Sequence, residues 1–337
     1  MNPRFDRAAR PRHHSSMPDF PAILTYAAPA FGLFVGLEWL LVRRGIARGR
    51  YDWRDGLSSM AMGVGNLVSD ILMGFVSLGF LLWAWQFRLF DLGVGAGVIA
   101  LALLAQDFVY YWKHRAMHRI RWFWTAHVVH HSSTHYNLST ALRQPWNNHI
   151  AGMVVISVPL VLLGFHPLLI AFVGAVNLLY QFWIHTEAIR VLPAWAEFLF
   201  NTPSHHRVHH SNHPTHLDKN YGGILIIWDR LFGTFVQEGR DEQITYGLVA
   251  DINTYNPIRI AFAEMVQALR DTTQRGIAPG QRLGYLFAPP GYSHDGSRQT
   301  SEMILAQWQA QVELGASSPG PQTGRAASGS DPLAHRS

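Results

Sequence analysis

Apolar residues along the chain are gathered into four long runs separated by short polar segments. The first is residues 21–42 (PAILTYAAPAFGLFVGLEWLLV), and residues 61–87 and 92–112 form the next two. The fourth, residues 150–184, is too long for one membrane helix, and GFHP at 164–167 divides it into two parts of suitable length. Because about 20 helical residues cross the hydrocarbon core, this pattern predicts an all-α polytopic integral membrane protein with four to five transmembrane helices.

The composition supports a membrane location over the alternative of buried helices in a large soluble protein. Hydrophobic residues make up 48% of the chain and charged residues only 15%, against about 25% charged residues in soluble domains. The first run begins too far from the N-terminus, and is too long, for a cleaved signal peptide, so we interpret it as a retained anchor. The absence of cysteine excludes disulfides, thiolate zinc sites and iron–sulfur clusters. Any bound metal must therefore be held by His, Asp or Glu.

The chain ends differ in composition from the middle. Residues 1–19 and 313–337 are rich in Pro, Ser, Gly and Arg, and we predict that both are disordered tails. Residues 20–240 form the predicted membrane domain. Residues 241–312 carry helical patterns around a Pro/Gly-rich centre and are predicted to pack beneath it.

Basic residues flank the apolar runs unevenly. Arginines are concentrated in 43–54, after the first run, and basic residues recur in 113–121, after the third, whereas the connection at 88–92 carries one Arg. By the positive-inside rule both basic segments are cytoplasmic, although the arginines of the N-terminal tail would then lie outside. The net charge of +5 therefore favours lipid head groups over nucleic acid as the basic partner. Histidines at 114–131 and 205–216 are expected on one cytoplasmic face, in a helical histidine-rich cap.

Histidines recur at helical spacing in three segments. HRAMH places two of them four residues apart, and HVVHH and HRVHH each place three at positions i, i+3 and i+4. Residues three and four apart lie on one helix face, so each segment can direct its imidazoles toward one point. The eight residues are His114, His118, His127, His130, His131, His206, His209 and His210. Eight imidazoles exceed the four ligands of a structural zinc and suit a two-metal centre.

Other histidine proteins remain as alternatives at this point. Solvated interface histidines would make the helical convergence accidental, and a haem would use only two or four of the eight. A zinc hydrolase would be expected to show H-E-x-x-H, which the sequence lacks. A non-redox metal transporter should carry ionisable residues inside its spans, where only Glu38, Asp70 and Asp107 qualify. The transporter is the principal rival interpretation.

The arrangement H-x3-H, H-x2-H-H, H-x2-H-H among membrane spans resembles the fatty acid hydroxylase/sterol desaturase superfamily of integral-membrane di-iron enzymes. The resemblance covers about residues 55–240, and it identifies 20–240 as a membrane di-iron hydroxylase domain. Three segments are most similar to its ether-lipid-cleaving members, which use tetrahydrobiopterin: AHVVHHSSTHYNLSTALRQ, NLLYQFWIHTE and NTPSHHRVHH with DKNYGGILIIWDRLFGTF.

The resemblance implies roles for individual residues. It makes the eight histidines metal ligands, adds His185 as a ninth, and makes His205 either a ligand or a support for one; no catalytic side chain beyond the metal centre is implied. Glu187 is a candidate to fix the His185 tautomer, or else a plain helix-terminus charge. Asp218, Asn220 and Tyr221 are candidates for shaping the site. We expect surface or substrate-entrance roles for His135, His213 and His216, and solvated positions for His13, His14, His294 and His335. The aromatic residues of FVYYWKH are expected in an interfacial belt.

The activity implied is that of an O2-dependent oxidoreductase with two non-haem iron ions. Bound iron would reduce O2 and oxidise an unreactive C–H bond of a lipid alkyl chain, giving hydroxylation, oxidative ether cleavage or desaturation. No sequence signature of a fused cytochrome b5 or ferredoxin is present. The electrons are therefore expected from tetrahydrobiopterin or from a separate redox partner. The expected location is a bacterial inner membrane.

Overall fold

The computed structural model describes residues 19–240 and 243–317, and this part of the chain is built from helices. Two isolated bridges, Phe200 with Leu225 and Ser211 with Tyr246, are the β pairings found within these residues. The all-α prediction is confirmed. The predicted disorder of residues 1–18 and 318–337, and the positions of His13, His14 and His335, lie outside the described residues.

Three described helices are long and apolar enough to cross a membrane. They are α1 (Ile23–Arg43), α2 (Trp53–Trp85) and α6 (Pro167–Ile184), with mean hydropathies of 1.4, 1.9 and 1.7. Large apolar side chains on α2, such as Ile71 and Phe75, are 70% exposed. Apolar faces of this size are expected to contact lipid. The chain is thus a polytopic membrane protein, as predicted.

Two of the expected spans take another form. The run 92–112 lies in α3 (Ala96–Arg119), where the polar Gln106 and Asp107 lower the hydropathy of an otherwise apolar helix. The run 150–184 is not a hairpin of two spans, because only Met153–Leu163 precedes α6. That segment is a 3-10 turn (Met153–Ser157) followed by α5 (Val158–Leu163), and it is about 16 Å long, half the hydrocarbon thickness. Gly164, at φ +110°, ends it.

The central helices pack around α3. Helix α4 (Arg121–His131) follows α3 after one residue, and α6 packs along α3. The buried carboxylate of Asp107 accepts hydrogen bonds from the backbone N–H of Ile224 at 2.7 Å and from Trp228 Nε1 at 2.9 Å. It also accepts one from Asn177 of α6 at 2.9 Å. Asp107 thereby joins α3, α6 and the loop that precedes α9 (Ile227–Phe232).

Short helices and a C-terminal group complete the fold. Helices α7 (Ala194–Leu199) and α8 (Pro203–His209) follow α6, and α10 (Pro257–Thr272), α11 (Pro279–Phe287) and α12 (Ser301–Ser317) follow α9. The C-terminal region is expected to pack beneath the membrane domain. In the structure, α10 packs directly on α4. Helix α12 extends to Ser317 because Gln311, Glu313 and Leu314 continue its helix-forming composition, so the predicted tail boundary at 313 is too early.

Candidate metal centre

Four segments bring nine histidines to one buried place. α3 contributes two of them, α4 three, the residue after α6 one, and α8 with its C-terminal cap three. Spacings of three or four residues within a helix put each set on one face. The nine are the histidines that we expected to bind metal: His114, His118, His127, His130, His131, His185, His206, His209 and His210.

The nine side chains divide into two groups. The first group is His114, His118, His127, His131 and His209, and the second group is His130, His185, His206 and His210; within each, the ring nitrogens lie within 4.8 Å of one another. In the first group Nε2 of His114 is 2.8 Å from Nε2 of His127. In the second, Nε2 of His185 is 3.1 Å from Nε2 of His130 and 3.0 Å from Nε2 of His206.

These distances suit donors that share a metal ion. Two nitrogens about 2.1 Å from one ion and at right angles to each other are about 3 Å apart. Four of the ring nitrogens are buried without a hydrogen-bond partner among the described residues: His118 Nε2, His206 Nδ1, His209 Nε2 and His210 Nε2. Unpaired buried nitrogens cost free energy, which a bound cation would offset. The residues present therefore fit one metal ion in each group.

Burial favours the neutral form of His131 and His210. The pKa of His131 is lowered well below its usual value, first by burial and then by repulsion from His209 and His127. The pKa of His210 is lowered well below its usual value by burial, then by His131 and His130. A neutral imidazole retains one nitrogen lone pair, which is the form that binds a metal.

Residues 218–221 orient the first group. Asp218 Oδ1 lies 3.4 Å from His118 Nδ1, the Lys219 carbonyl is 2.8 Å from His209 Nδ1, and the Tyr221 carbonyl is 2.8 Å from His114 Nδ1. Asp218 and Asn220 adopt positive φ (59° and 56°), which turns successive acceptors toward the histidines. Asn220 holds this turn through hydrogen bonds with the backbone of Val236. Three imidazoles thus present Nε2 to the centre.

Acceptors for the second group come from two other segments. The Gln181 carbonyl is 2.7 Å from His185 Nδ1, and the Arg143 carbonyl is 3.4 Å from His130 Nδ1. Arg143 is itself 1% exposed and forms an ion pair of 2.8 Å with Asp55 of α2. It also donates to the hydroxyl of Ser132, the residue after α4.

Sequence reasoning missed several of these supporting residues. Asp55 and Arg143 are 88 positions apart, and no periodicity links them. Lys219 and Gln181 act through backbone carbonyls, which any residue type supplies. Among these residues, only Arg143 could have been found from the sequence. It lies in the segment ALRQ, and a buried arginine needs a charged partner.

His205 and Glu187 lie elsewhere than expected. His205 Nε2 is 3.0 Å from Glu197 Oε2, so its ring faces α7 and is outside both groups. Glu187 accepts from the Tyr246 hydroxyl at 3.1 Å, and the Gln181 carbonyl lies 2.7 Å from Nδ1 of His185. Of the two roles considered for Glu187, a contact that fixes the His185 tautomer is therefore not the one that the structure shows.

The remaining histidines differ among themselves. His135 is half-buried and lines a pocket of ≈ 190 Å³, His213 packs against Trp308 of α12, and His294 is exposed. His216 is buried at 3% exposure, 3.0 Å from the Ser211 hydroxyl, so of the surface or substrate-entrance roles expected for it the surface position is wrong.

The aromatic segment FVYYWKH (108–114), in the second half of α3, is only partly an interfacial belt. Phe108 and Trp112 are 37% and 40% exposed, as an interfacial position requires. Tyr111 is fully buried and its hydroxyl lies 3.0 Å from that of Thr234, whereas Tyr110 donates to Gln181 at 2.8 Å. The two tyrosines face inward because α3 turns one side toward the histidine groups.

Comparison with known proteins confirms the resemblance in the histidine motifs. Residues 99–234 match the family model for fatty acid hydroxylases. The chain is 38% identical to the alkylglycerol monooxygenase of Homo sapiens over 285 residues, covering 82% of this chain and 61% of that protein. It is 39% identical to the alkylglycerol monooxygenase of Danio rerio over 250 residues, covering 74% and 55% respectively.

A more distant relative is bacterial. The ornithine lipid hydroxylase OlsE of Rhizobium tropici is 29% identical over 155 residues, which is 46% of each chain. The chain thus spans about half to three fifths of the length of the curated relatives described here. No solved structure gives a significant match.

Proposed function

Because residues 99–234 of this chain are a fatty acid hydroxylase domain, we propose that the protein is a membrane-bound di-iron oxygenase that uses O2 to hydroxylate a lipid alkyl chain. The observation that carries the proposal is the division of nine buried histidines into two groups of converging nitrogens. One group would suit many metal proteins. Two adjacent groups, both on a fatty acid hydroxylase domain, favour a two-metal oxygenase.

In this proposal the first group holds one iron and the second group the other. Imidazole is a suitable ligand for iron, and the five nitrogens of the first group exceed the four that one tetrahedral zinc accepts. The bound irons supply O2 activation and the oxidation of a C–H bond, chemistry that no side chain provides. The protein holds His114, His185 and His209 in one tautomer through the acceptors on Nδ1, and burial keeps the nitrogens away from water.

The substrate proposed is a lipid that enters from the bilayer. The names of the relatives specify an alkylglycerol and an ornithine lipid, and both are lipids with long chains. An ether lipid is the first to test, because hydroxylation of the carbon beside the ether oxygen gives a hemiacetal, whose C–O bond to that oxygen breaks to release an aldehyde and an alcohol. Oxidative cleavage and desaturation are variants of the same oxidation.

The electrons are proposed to come from outside the chain. Either tetrahydrobiopterin or a separate redox protein would deliver them, and arginines at 43–54 offer a docking face for an acidic partner. The same arginines support a cytoplasmic position for the histidine groups, and the membrane proposed is a bacterial inner membrane.

Ionisable groups of the membrane region count against a metal transporter. Glu38 accepts from the Tyr51 and Thr186 hydroxyls and from the Leu138 N–H. Asp107 is bound by backbone and side-chain donors, and Asp70 pairs with His149 at 2.8 Å. All three carboxylates are thus engaged in fixed contacts, whereas a transport path needs groups that exchange partners.

The direct test is a lipid oxidation assay in reconstituted membranes. The iron-loaded protein would be supplied with an alkylglycerol, a chemical or pterin reductant and ¹⁸O2, and the lipids analysed by mass spectrometry. We expect one labelled oxygen atom in the product, and no product with His209→Ala. His213→Ala, which alters a histidine outside both groups, should remain active. If the wild-type protein leaves alkylglycerols, ornithine lipids and fatty acids unchanged under these conditions, the oxygenase proposal fails.

A further inference from the structure

A groove lies at the end of α1, where the chain turns into α2. It has a volume of ≈ 320 Å³ and is lined by Trp39, Val42, Arg43, Tyr51 and Trp53. Trp39 and Trp53 are 42% and 67% exposed. The lining therefore combines an apolar, aromatic wall with a single cation, and it is separate from both histidine groups.

The cation in this groove has no carboxylate partner. Within the described residues, no ion pair reaches the five arginines of 43–54, which are Arg43, Arg44, Arg48, Arg50 and Arg54. The acidic residues nearby are already used. Asp52 caps α2 by accepting from the backbone N–H of Arg54 and Asp55, each at 2.9 Å. The groove thus has an uncompensated positive charge.

The guanidinium of Arg43 is held in place by an aromatic ring. It lies 5.2 Å from the ring centre of Trp39, close enough for a cation–π contact. Such a contact leaves the N–H groups that point away from the ring free to donate. Phosphate is the anion that such a fork of donors recognises well.

The position of the groove indicates where that phosphate comes from. The groove is at the basic end of a membrane-spanning helix, and Trp and Tyr rings prefer the level of the lipid head groups. We propose that the groove binds one anionic phospholipid, with its phosphate on Arg43 and its upper acyl chain against Trp39, Val42 and Trp53. This site is independent of the oxygenase proposal and is not the place of oxidation.

Lipid in the groove would also brace the wall of the histidine site. Tyr51, a lining residue, donates its hydroxyl to Glu38, and Glu38 also accepts from Thr186, the residue after His185. An occupant that fixes Tyr51 should therefore stabilise the fold. Bound lipid is expected to raise the melting temperature of the protein.

The test is lipid binding to purified, delipidated full-length protein by native mass spectrometry. The probes are dioleoyl phosphatidylglycerol and the zwitterionic dioleoyl phosphatidylcholine, with inorganic phosphate as a competitor. We expect one phosphatidylglycerol to bind more tightly than phosphatidylcholine, and Arg43→Gln to weaken it about fivefold. Arg44→Gln is the matched control, because it removes the same charge from the neighbouring residue outside the lining. It should change binding less than twofold.

Three results would overturn the site. Equal weakening by Arg43→Gln and Arg44→Gln would show a diffuse charge effect. Equal binding of phosphatidylglycerol and phosphatidylcholine would show that the groove does not select an anionic lipid. Displacement of phosphatidylglycerol by inorganic phosphate at similar concentration would show a site for free phosphate. Trp53→Ala provides a second variant, expected to weaken both lipids because Trp53 supplies apolar wall and little support to the fold, being 67% exposed.

Discussion

At the scale of single residues, His206 and His209 show how the two groups are built together. They lie one helical turn apart on α8, yet His206 belongs to the second group and His209 to the first. Helix α4 divides in the same way, with His127 and His131 in one group and His130 in the other. Because two helices serve both groups, the two proposed metal sites cannot move apart independently.

Asp218 tests whether the turn at 218–221 orients the first group. Burial raises the pKa of its carboxyl, but hydrogen bonding to His118 and the charge of Arg119 outweigh this and lower the pKa, so the group stays ionised. Asp218→Asn removes the charged acceptor, and we expect metal affinity of the first group to fall about 10- to 100-fold. The measurement is iron retained against a competing chelator. Asp295→Asn, at an exposed position, should retain iron like the wild type; matching losses in both variants would contradict the assigned role.

The buried ion pair of Arg143 and Asp55 gives a second residue-scale prediction. Arg143→Ala leaves a carboxylate that is 2% exposed without its partner, and we expect a loss of about 3–5 kcal/mol in the free energy of unfolding. Thermal and denaturant unfolding of detergent-purified protein would measure it. The double variant with Asp55→Ala should lose less than the sum of the two single variants. Additive losses would show that the pair does not interact.

At the scale of elements, the helix that carries three of the histidines depends on the C-terminal region. Val128 and Val129 of α4 pack with Ile260 and Ala261 of α10 in one buried cluster. Arg121, at the start of α4, forms ion pairs with Glu264 at 2.8 Å and Asp271 at 2.7 Å, both on α10. The C-terminal region therefore supports the site although it contributes no histidine to either group.

Two isoleucines on α10 allow this support to be measured. Ile260 is 2% exposed and Ile258 is 65% exposed. Ile260→Ala should lower the free energy of unfolding by about 2–5 kcal/mol, because it opens a cavity against α4. It should also weaken iron retention. Ile258→Ala, the same change on the solvent or lipid side, should be close to neutral in both measurements, and equal effects from the two would show that α10 does not brace α4.

Elements with a simple repeating pattern were predicted correctly from the sequence. The predictions were wrong where polar contacts inside the protein determine the structure of a segment. Apolar runs placed α1, α2 and α6, and spacings of three and four residues selected eight of the nine histidines. His185 was expected only from the family resemblance. Helix α3 is less apolar than expected because Asp107 serves as a junction inside the protein, and Gly164 ends a short segment that was expected to span. The division into groups was not predictable, because His130 and His131 are adjacent in sequence and yet belong to different groups, set by which histidines of the other segments each one meets in the folded chain.

At the scale of the whole molecule, the histidine groups lie at one end of the membrane domain. Helix α2 is 33 residues and about 50 Å long, and α3 returns in the opposite direction to His114 and His118. The histidine groups and the arginines of 43–54 thus share one end, and the connection at 86–95 is at the other. The positive-inside rule predicts that the histidine end is cytoplasmic.

Single-cysteine labelling can test this orientation cleanly, because the chain contains no cysteine. In intact bacterial cells a membrane-impermeant maleimide should label Asp91→Cys, whose side chain is 76% exposed at the far end. Arg48→Cys and Asp295→Cys, both exposed, should be labelled only after the membrane is opened. Labelling of these two from outside would reverse the proposed topology.

The central claim is that nine histidines hold two irons, and metal analysis with Mössbauer spectroscopy of iron-57-loaded protein tests it most directly. We predict about two irons per chain as a coupled pair, with the coupling lost in both His206→Ala and His209→Ala, since each removes a ligand from a different group. His213→Ala should leave the spectrum unchanged. One tightly bound metal ion per chain, or a haem, would contradict the account.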